Sequence, residues 1–362
     1  MSNKYCSEGN GLKIVVNGKY RIARVTGVQR VAIEIVNSMR EQIVGRKLDV
    51  DLSVIEPPTW MAKSRFRPVL ALIWEQFFLP FLAGDALLLS LCNTGPVFRK
   101  NQALVLHDAA IFDMPENYGS RYVAIQQWLV RKSARRVEKV FTVSNFSRER
   151  LAYWLHINEA DISILGVGTE HISRAAITPE LSILNRLNLI KGGYLLAIGS
   201  RQPGKNFKSL LEAASIARLA VPVVIAGGVD VNVFGQQSLL ENVHLIEAGY
   251  VSDGELVALL MNSCGYIQPS LYEGFGLPVI EAMVLGIPVI CANAASLPEV
   301  CGDAAVYFNP RDPSDIAQAL KKLLSSKELQ VSLVEAGVNR AKQHSWDESA
   351  WRMLADLRAI KA

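Results

Sequence analysis

Two loops in the sequence combine glycines, cations and a carboxylate in a way that suits a diphosphate. The first is SLYEGFGLPVIEAMVLGIP (270–288), which follows the apolar run GYIQP. Gly274 and Gly276 allow close backbone approach to a ligand, and Pro278 suits the first position of a helix. The N–H groups of Phe275, Gly276 and Leu277 would then face outward at a helix N-terminus, a ready anion site. Glu273 falls in the loop and Glu281 about one turn inside the helix, an E-x7-E spacing. Helix-dipole complementarity accounts for Glu281, but not for a glycine-flanked Glu273 at a strand end. The second loop is IGSRQPGKNF (198–207), in which Gly199 closes a strand and Arg201 and Lys205 flank Pro203-Gly204. Arg supplies a planar fork and Lys a point charge, the pair expected around a diphosphate. Either cation alone would pass for solvated loop charge. Both in the same half as Glu273 point to one anion site.

Two segments of the other half end strands with polar residues. LVLHDAAIFDMPE (104–116) puts His107 and Asp108 at a carboxyl edge, where functional groups collect. A structural His and a turn-capping Asp weigh evenly against that reading. VNGKYRIARVTGVQR (16–30) leads through a basic turn into Thr26-Gly27 and a helix near Val28. It lacks G-x-G-x-x-G and the acidic ribose residue, which disfavours NAD. Gly27 still suits backbone contact with a phosphate or sugar. Asp49-Val50-Asp51 opens a strand away from the diphosphate loops, and His156, His171, His244 and His344 have no zinc spacing. No metal and no resident cofactor are expected. Neither G-x-S-x-G nor a Cys/His pairing marks a covalent nucleophile.

The elements that must position these loops repeat one pattern. LKIVVN, DLSVI, DALLLS, QALVLH, KVFTVS and ISIL read as strands separated by helical stretches such as 28–40 and 118–137. The series then restarts with YLLAIGS, VPVVIAG, NVHLIEAG, GYIQPS and IPVICA, and three helices follow Asp312. Nearly continuous apolar strands with helical crossovers imply parallel sheets covered on both faces. The expected fold is therefore α/β, with two Rossmann-like doubly wound domains facing across a cleft. Residues 1–177 would form the first and 194–343 the second, with 178–193 as linker. The closing segment 344–362 would cross back to the first domain. The 362 residues, half of them hydrophobic and 20% charged, suffice for two large cores and exclude a disordered chain.

Charge is uneven around its net value of +4. Through residue 180 there are 23 Lys/Arg against 17 Asp/Glu, and beyond it 15 against 17. A mildly basic half suggests an anionic partner there but falls short of a nucleic-acid binder. Five scattered cysteines without a C-x-x-C pair suit a reducing cytosol. The start MSNKYCSEGNG has no apolar run, so no signal peptide is expected. The apolar stretch 69–91 is broken by Glu75, Gln76, Pro80 and Asp85, which argues against a membrane span. Tyr118 to Lys139 reads as an amphipathic helix carrying an apolar stripe and two basic lanes, the pattern of a membrane-surface helix and also of a solvated one.

Taken together, EGFGLPVIEAMVLGIPVI (273–290), the preceding GYVSDGELVALLMNSCGYIQPS (249–270), SRQPGKN (200–206), VSNFSRERL (143–151) and SLPEVCGDAAVYFNP (296–310) resemble the GT4 glycosyltransferases of GT-B fold. The resemblance extends over essentially the whole chain. It implies a C-terminal domain for a nucleotide sugar and an N-terminal domain for the acceptor. Arg201 and Lys205 would neutralise the diphosphate, Glu273 contact the transferred sugar and Glu281 the ribose. Amides of Phe275 to Leu277 would complete the cradle, and Gly249, Tyr250 and Val251 would hold the nucleobase. His107 would lie beside the sugar, and Gly27 matches the family's glycine loop, although many members have Gly-Gly where this chain has Thr26-Gly27. Retention of configuration without a metal is implied.

RVTGVQRVAIEI (24–35) resembles bacterial polysaccharide mannosyltransferases. That implies GDP-mannose as donor and a lipid-diphosphate-linked oligosaccharide as acceptor, in exopolysaccharide or O-antigen synthesis. The enzyme would be cytoplasmic, or peripheral on the inner face of the membrane. UDP-glucose or another nucleotide sugar is the rival donor. Other classes would be a nucleotide-binding module without catalysis or a nucleic-acid binder; the intact site residues and the lack of interleaved aromatics speak against them.

Overall fold

The computed structural model describes residues 11–200, 202–228 and 243–360. Six strands come from the first half: β1 (Leu12–Asn17), β2 (Val50–Ile55), β3 (Leu87–Ser90), β4 (Gln102–Val105), β5 (Lys139–Thr142) and β6 (Ile162–Ile164). They form one sheet in the order β2-β1-β3-β4-β5-β6 with every neighbouring pair parallel. The second sheet uses β7 (Leu195–Gly199), β8 (Val223–Gly227), β9 (Leu245–Gly249), β10 (Gly265–Gln268), β11 (Val289–Ala292) and β12 (Ala305–Phe308). Its order is β12-β11-β10-β7-β8-β9, again parallel throughout. This is the two-domain GT-B arrangement of Rossmann-like sheets.

Interior strands show why the pattern was readable. All four residues of β3, β4, β10 and β11 are buried, as expected where helices cover both faces. Edge strand β2 instead alternates between half-buried and exposed positions. The strand absent from the sequence reading is β12. It lies at the other sheet's edge, has four residues, and buries only its two ends. So short a run between the Gly302 turn and Asn309-Pro310 carries neither periodicity nor length.

Each order reverses once, and ligands of doubly wound sheets bind where it does. In the first sheet β1 lies between β2 and β3, so the loops after β1 and β3 part at the reversal. In the second, β7 lies between β8 and β10, which puts the reversal between the loops that carry Lys205 and Glu273.

The last described helix returns to the first domain. Helix Trp346–Ala359 packs on helix Gly27–Gly45 and buries Trp346, Ala350, Met353, Leu354 and Leu357 in that core. Glu170 holds its first turn, accepting from Ser345 Oγ at 2.6 Å and from the Trp346 amide at 3.0 Å. Segment 178–193 contains a short helix, Ser182–Arg186, that buries Ile183 in the second core. Among the described residues, no helix is long and apolar enough to cross a membrane. Trp346 is one of the largest fully buried side chains, and its loss would leave a cavity next to Glu170 and His171. Trp346→Ala is expected to cost about 3–5 kcal/mol of stability, read as a lower midpoint in urea denaturation.

Candidate active site

The reversal in the second sheet brings Lys205 and Glu273 into contact. Lys205 closes the 3-10 turn Pro203–Lys205, and its Nζ donates to Glu273 Oε1 at 2.7 Å. The same oxygen accepts from Gln268 Nε2 at 2.8 Å, and Ser296 Oγ donates to the Glu273 carbonyl at 2.9 Å. Glu273 is thus fixed at both ends while part of its carboxylate stays accessible. Gly199 ends β7 against the Lys205 stem, where an added Cβ would come within 3.3 Å of Lys205 Cγ and 2.9 Å of the Phe207 ring. Arg201 lies outside the described residues.

Beyond Glu273 the chain turns through Gly274 and Phe275 into helix Leu277–Val284. Gly276 caps that helix with φ +95°, a backbone conformation that favours glycine. The first amides of the helix have no intrahelical partner and are oriented for an anion. Phe275 turns its ring into the first domain's core and meets His344 edge-on at 5.4 Å.

Gly274 is where the two sheets meet. A Cβ there would lie 2.7 Å from the His107 carbonyl and 2.8 Å from Asp108 Cβ, so only glycine allows the approach. The Gly274 carbonyl accepts from Ser144 Oγ at 2.6 Å and Ser147 Oγ at 3.0 Å, both of the first domain. Asp113 fastens the same loop two residues earlier, accepting from Tyr272 Oη at 3.0 Å while it pairs with Arg150 and takes a bond from Trp154. Glu299 of the second domain in turn accepts from the amides of Asn145 at 2.8 Å and Phe146 at 3.0 Å, at the start of helix Asn145–Leu155.

His107 is buried, and its Nε2 lies 2.8 Å from the Leu91 carbonyl. A carbonyl only accepts, so Nε2 carries the proton and Nδ1 is left as an acceptor. Burial lowers its pKa to about 4, against the smaller opposing effect of the Leu91 bond, so the ring is neutral at physiological pH. Asp108 lies against the same side of Gly274 as the His107 carbonyl, its carboxyl pushed upward mainly by burial and further by the charge of Glu273. Tyr118, whose hydroxyl pKa rises to about 12 chiefly through burial, lines the same space near Asp108 and Gln202.

The other sequence candidates stand outside the Lys205–Glu273 contact itself. Glu281 is buried, and its Oε1 is bound at 2.7 Å by His171 Nε2, while His171 Nδ1 accepts from Trp346 Nε1 at 3.1 Å. Tyr250 is exposed and covered by the guanidinium of Arg24, 3.1 Å from the ring centroid. Val251 is half-buried against the second core. Gly249 has φ +66°. Gly27 begins its helix with open space where a Cβ would stand. Near it Arg30 reaches Asp253 of the second domain at 2.5 Å.

Sequence reasoning missed the partners. Gln268, a polar residue closing an apolar strand, was a readable signal. Asp113 stood within the LVLHDAAIFDMPE segment without an assigned role. Glu75, which served only to interrupt an apolar stretch, is fully buried at the first sheet's reversal, paired with Lys19 at 2.6 Å and bound by Asn17 Nδ2 at 2.8 Å. That cluster ties the loop after β1 to the loop after β3, since Thr94 Oγ1 also donates to Glu75 Oε2 at 2.9 Å.

Two doubly wound sheets that face one another, with a cation–carboxylate pair and a helix start at the reversal, define a GT-B glycosyltransferase. Residues 187–340 match the model for glycosyl transferases group 1. The chain is 32% identical over 251 residues to O-antigen chain mannosyltransferase B of Escherichia coli, a match covering 67% of this chain and 66% of that protein. It is 24% identical over 325 residues to O-antigen chain mannosyltransferase RfbU of Salmonella typhimurium, covering 82% and 87%. Among solved structures, sucrose-phosphate synthase from Thermosynechococcus elongatus superposes with a TM-score of 0.73 at 16% identity, over 96% of this chain and 99% of that one. Anabaena Alr3699/HepE, solved with UDP and glucose, gives 0.72 at 15% identity over 96% and 100%. The chain belongs to the group 1 glycosyl transferases.

Two outcomes follow from this geometry. Gly274→Ala must displace Glu273 from the His107–Asp108 edge, and turnover is expected to fall about 100-fold with little change in melting temperature. Buried His107, and His344 with a pKa also lowered to about 4 by burial and by Arg340, refuse protons that the unfolded chain takes up near 6.5. Their contribution is complete above pH 6.5 and is lost as pH falls toward 4. Denaturation midpoints should decline across that window, and His344→Gln should flatten the decline.

Proposed function

We propose that the protein transfers mannose from GDP-mannose, with retention and without a metal, to a lipid-diphosphate-linked oligosaccharide during O-antigen or related polysaccharide synthesis. The observation that carries this reading is the meeting of Lys205 and Glu273 with the His107–Asp108 edge through Gly274. The mannosyltransferase relatives supply the choice of sugar. The diphosphate would displace the Glu273 carboxylate as the main partner of Lys205 and face the first amides of helix Leu277–Val284, with Arg201 as a second cation. Charge grows on the departing diphosphate as the glycosidic bond loosens, and fixed donors lower that barrier without reorganising. Glu273, released from part of its pairing, would hold sugar hydroxyls, and neutral His107 would accept one at Nδ1.

The acceptor hydroxyl would attack from the face the diphosphate leaves, giving its proton to a diphosphate oxygen. Closure of the first domain over the second excludes water from the oxocarbenium-like state. The carboxylates of Glu273 and Asp108 are not required as a hydrolase pair. The enzyme would work in the cytoplasm, at the inner face of the membrane, with the basic helix Ser120–Ala134 toward anionic lipid.

A panel of GDP-, UDP- and dTDP-sugars tests the donor. GDP-mannose should give the largest thermal stabilisation and the fastest slow hydrolysis, whereas a UDP-sugar that exceeds it would replace the donor. Lys205→Ala should lower kcat by roughly 100- to 1,000-fold with the fold intact. Turnover near that of the wild type would contradict the diphosphate role.

A further inference from the structure

The first domain carries a cavity of about 980 Å³ that lies apart from the cleft. Its walls come from residues 72–81, from 97–99 and from one side of helix Ser120–Ala134, with Phe77, Phe81, Phe98, Ile125 and Trp128 prominent. These five are all strongly exposed, from 50% for Ile125 to 86% for Phe81. So much contiguous exposed apolar surface marks an interaction site. Gln76 and Arg99 also line it, but both are turned to the protein's own backbone. Gln76 bonds the Gly95 carbonyl and the Val97 amide, each at 3.0 Å, and Arg99 bonds the carbonyls of Pro80 and Gly84 at 2.9 Å. The cavity therefore offers hydrocarbon contact and no polar group seeking a partner, which excludes a sugar or nucleotide and selects an aliphatic chain.

Charge and position narrow the occupant further. Arg136 stacks on Phe98 at 5.6 Å and Lys132 stands one turn beyond Trp128, so cations edge the apolar walls. Tyr118, just before that helix, lies near Asp108 and Glu273. The helix begins two residues after Tyr118, and from Ser120 to Trp128 it rises about 12 Å. One rigid element thus runs from the sugar site to the apolar cavity, a span suited to an amphiphile whose glycan end reaches the cleft. We infer that this cavity binds the hydrocarbon chain of the lipid-diphosphate acceptor. The inference rests on the acceptor class proposed above.

The test separates the two. Geranylgeranyl diphosphate should shift Trp128 emission to shorter wavelength in the intact protein, read as the difference from Trp128→Phe, and inorganic diphosphate should not. Ala124→Trp would occupy the space and Ile125→Glu would place a charge in it; both are surface positions away from the diphosphate site. Each methylene lost from burial weakens binding about fourfold. Both variants should therefore raise KM for a detergent-solubilised prenyl-diphosphate glycan at least tenfold. Transfer to a lipid-free glycan with the same terminal sugar, and donor hydrolysis, should stay as in wild type. Failure of geranylgeranyl diphosphate to shift the emission, or an unchanged KM in both variants, overturns the inference. So does loss of sedimentation with acceptor-free phosphatidylglycerol vesicles at an unchanged KM, because the face would then meet the bilayer itself. An emission shift that persists in a protein unable to transfer mannose would support the cavity and count only against the proposed donor or acceptor.

Discussion

The structure turns on the contact of one glycine, Gly274, with the carboxyl edge of the opposite sheet. A side chain at that position would meet the His107 carbonyl at 2.7 Å, so the loop that bears Glu273 reaches the first domain only because Cβ is missing. Three first-domain residues secure it there: Ser144 and Ser147 bind the Gly274 carbonyl and Asp113 binds Tyr272. The amides of Asn145 and Phe146 add bonds to Glu299 on a later helix of the second domain. Glu273 therefore belongs to the second sheet by covalent connection and to the first by positioning. Any movement between the domains changes where its carboxylate stands relative to His107.

The same logic explains which features were legible in the sequence. Interior strands announce themselves because both faces are covered and their residues are mostly apolar; β12, a four-residue edge strand with half-buried middle positions, does not. Lys205 and Glu273 could be paired from sequence because each follows a strand by a few residues, and strand order converts that into adjacency. Long-range partners follow no such rule. Glu281 meets His171 across 110 residues, and Asp113 meets Tyr272 across 159, with no local pattern at either end. Arg24 on the ring of Tyr250 is of the same kind. A residue's type and place on a sheet edge are local information, whereas its partner across a domain interface is not.

Net charge proved a coarse guide. The cation–carboxylate site lies in the half with more acids than bases, where among the described residues Lys205 and a helix start set the local field. The basic excess of the first half is concentrated instead around helix Ser120–Ala134 and the apolar cavity beside it. Hydrophobic composition divides in a similar way. Much of it fills the two cores, but Phe77, Phe81 and Phe98 remain at the surface, where their burial by another molecule would be favourable.

The central claim is that Lys205 and the start of helix Leu277–Val284 bind the terminal phosphate of a nucleoside diphosphate. Isothermal titration of GDP and GMP into the wild type and into Lys205→Ala addresses it most directly. The account predicts that GDP binds the wild type far more tightly than GMP, by tenfold or more, and that the variant loses most of the difference. Equal affinities for GDP and GMP in the wild type, or a preference undiminished in the variant, would contradict it.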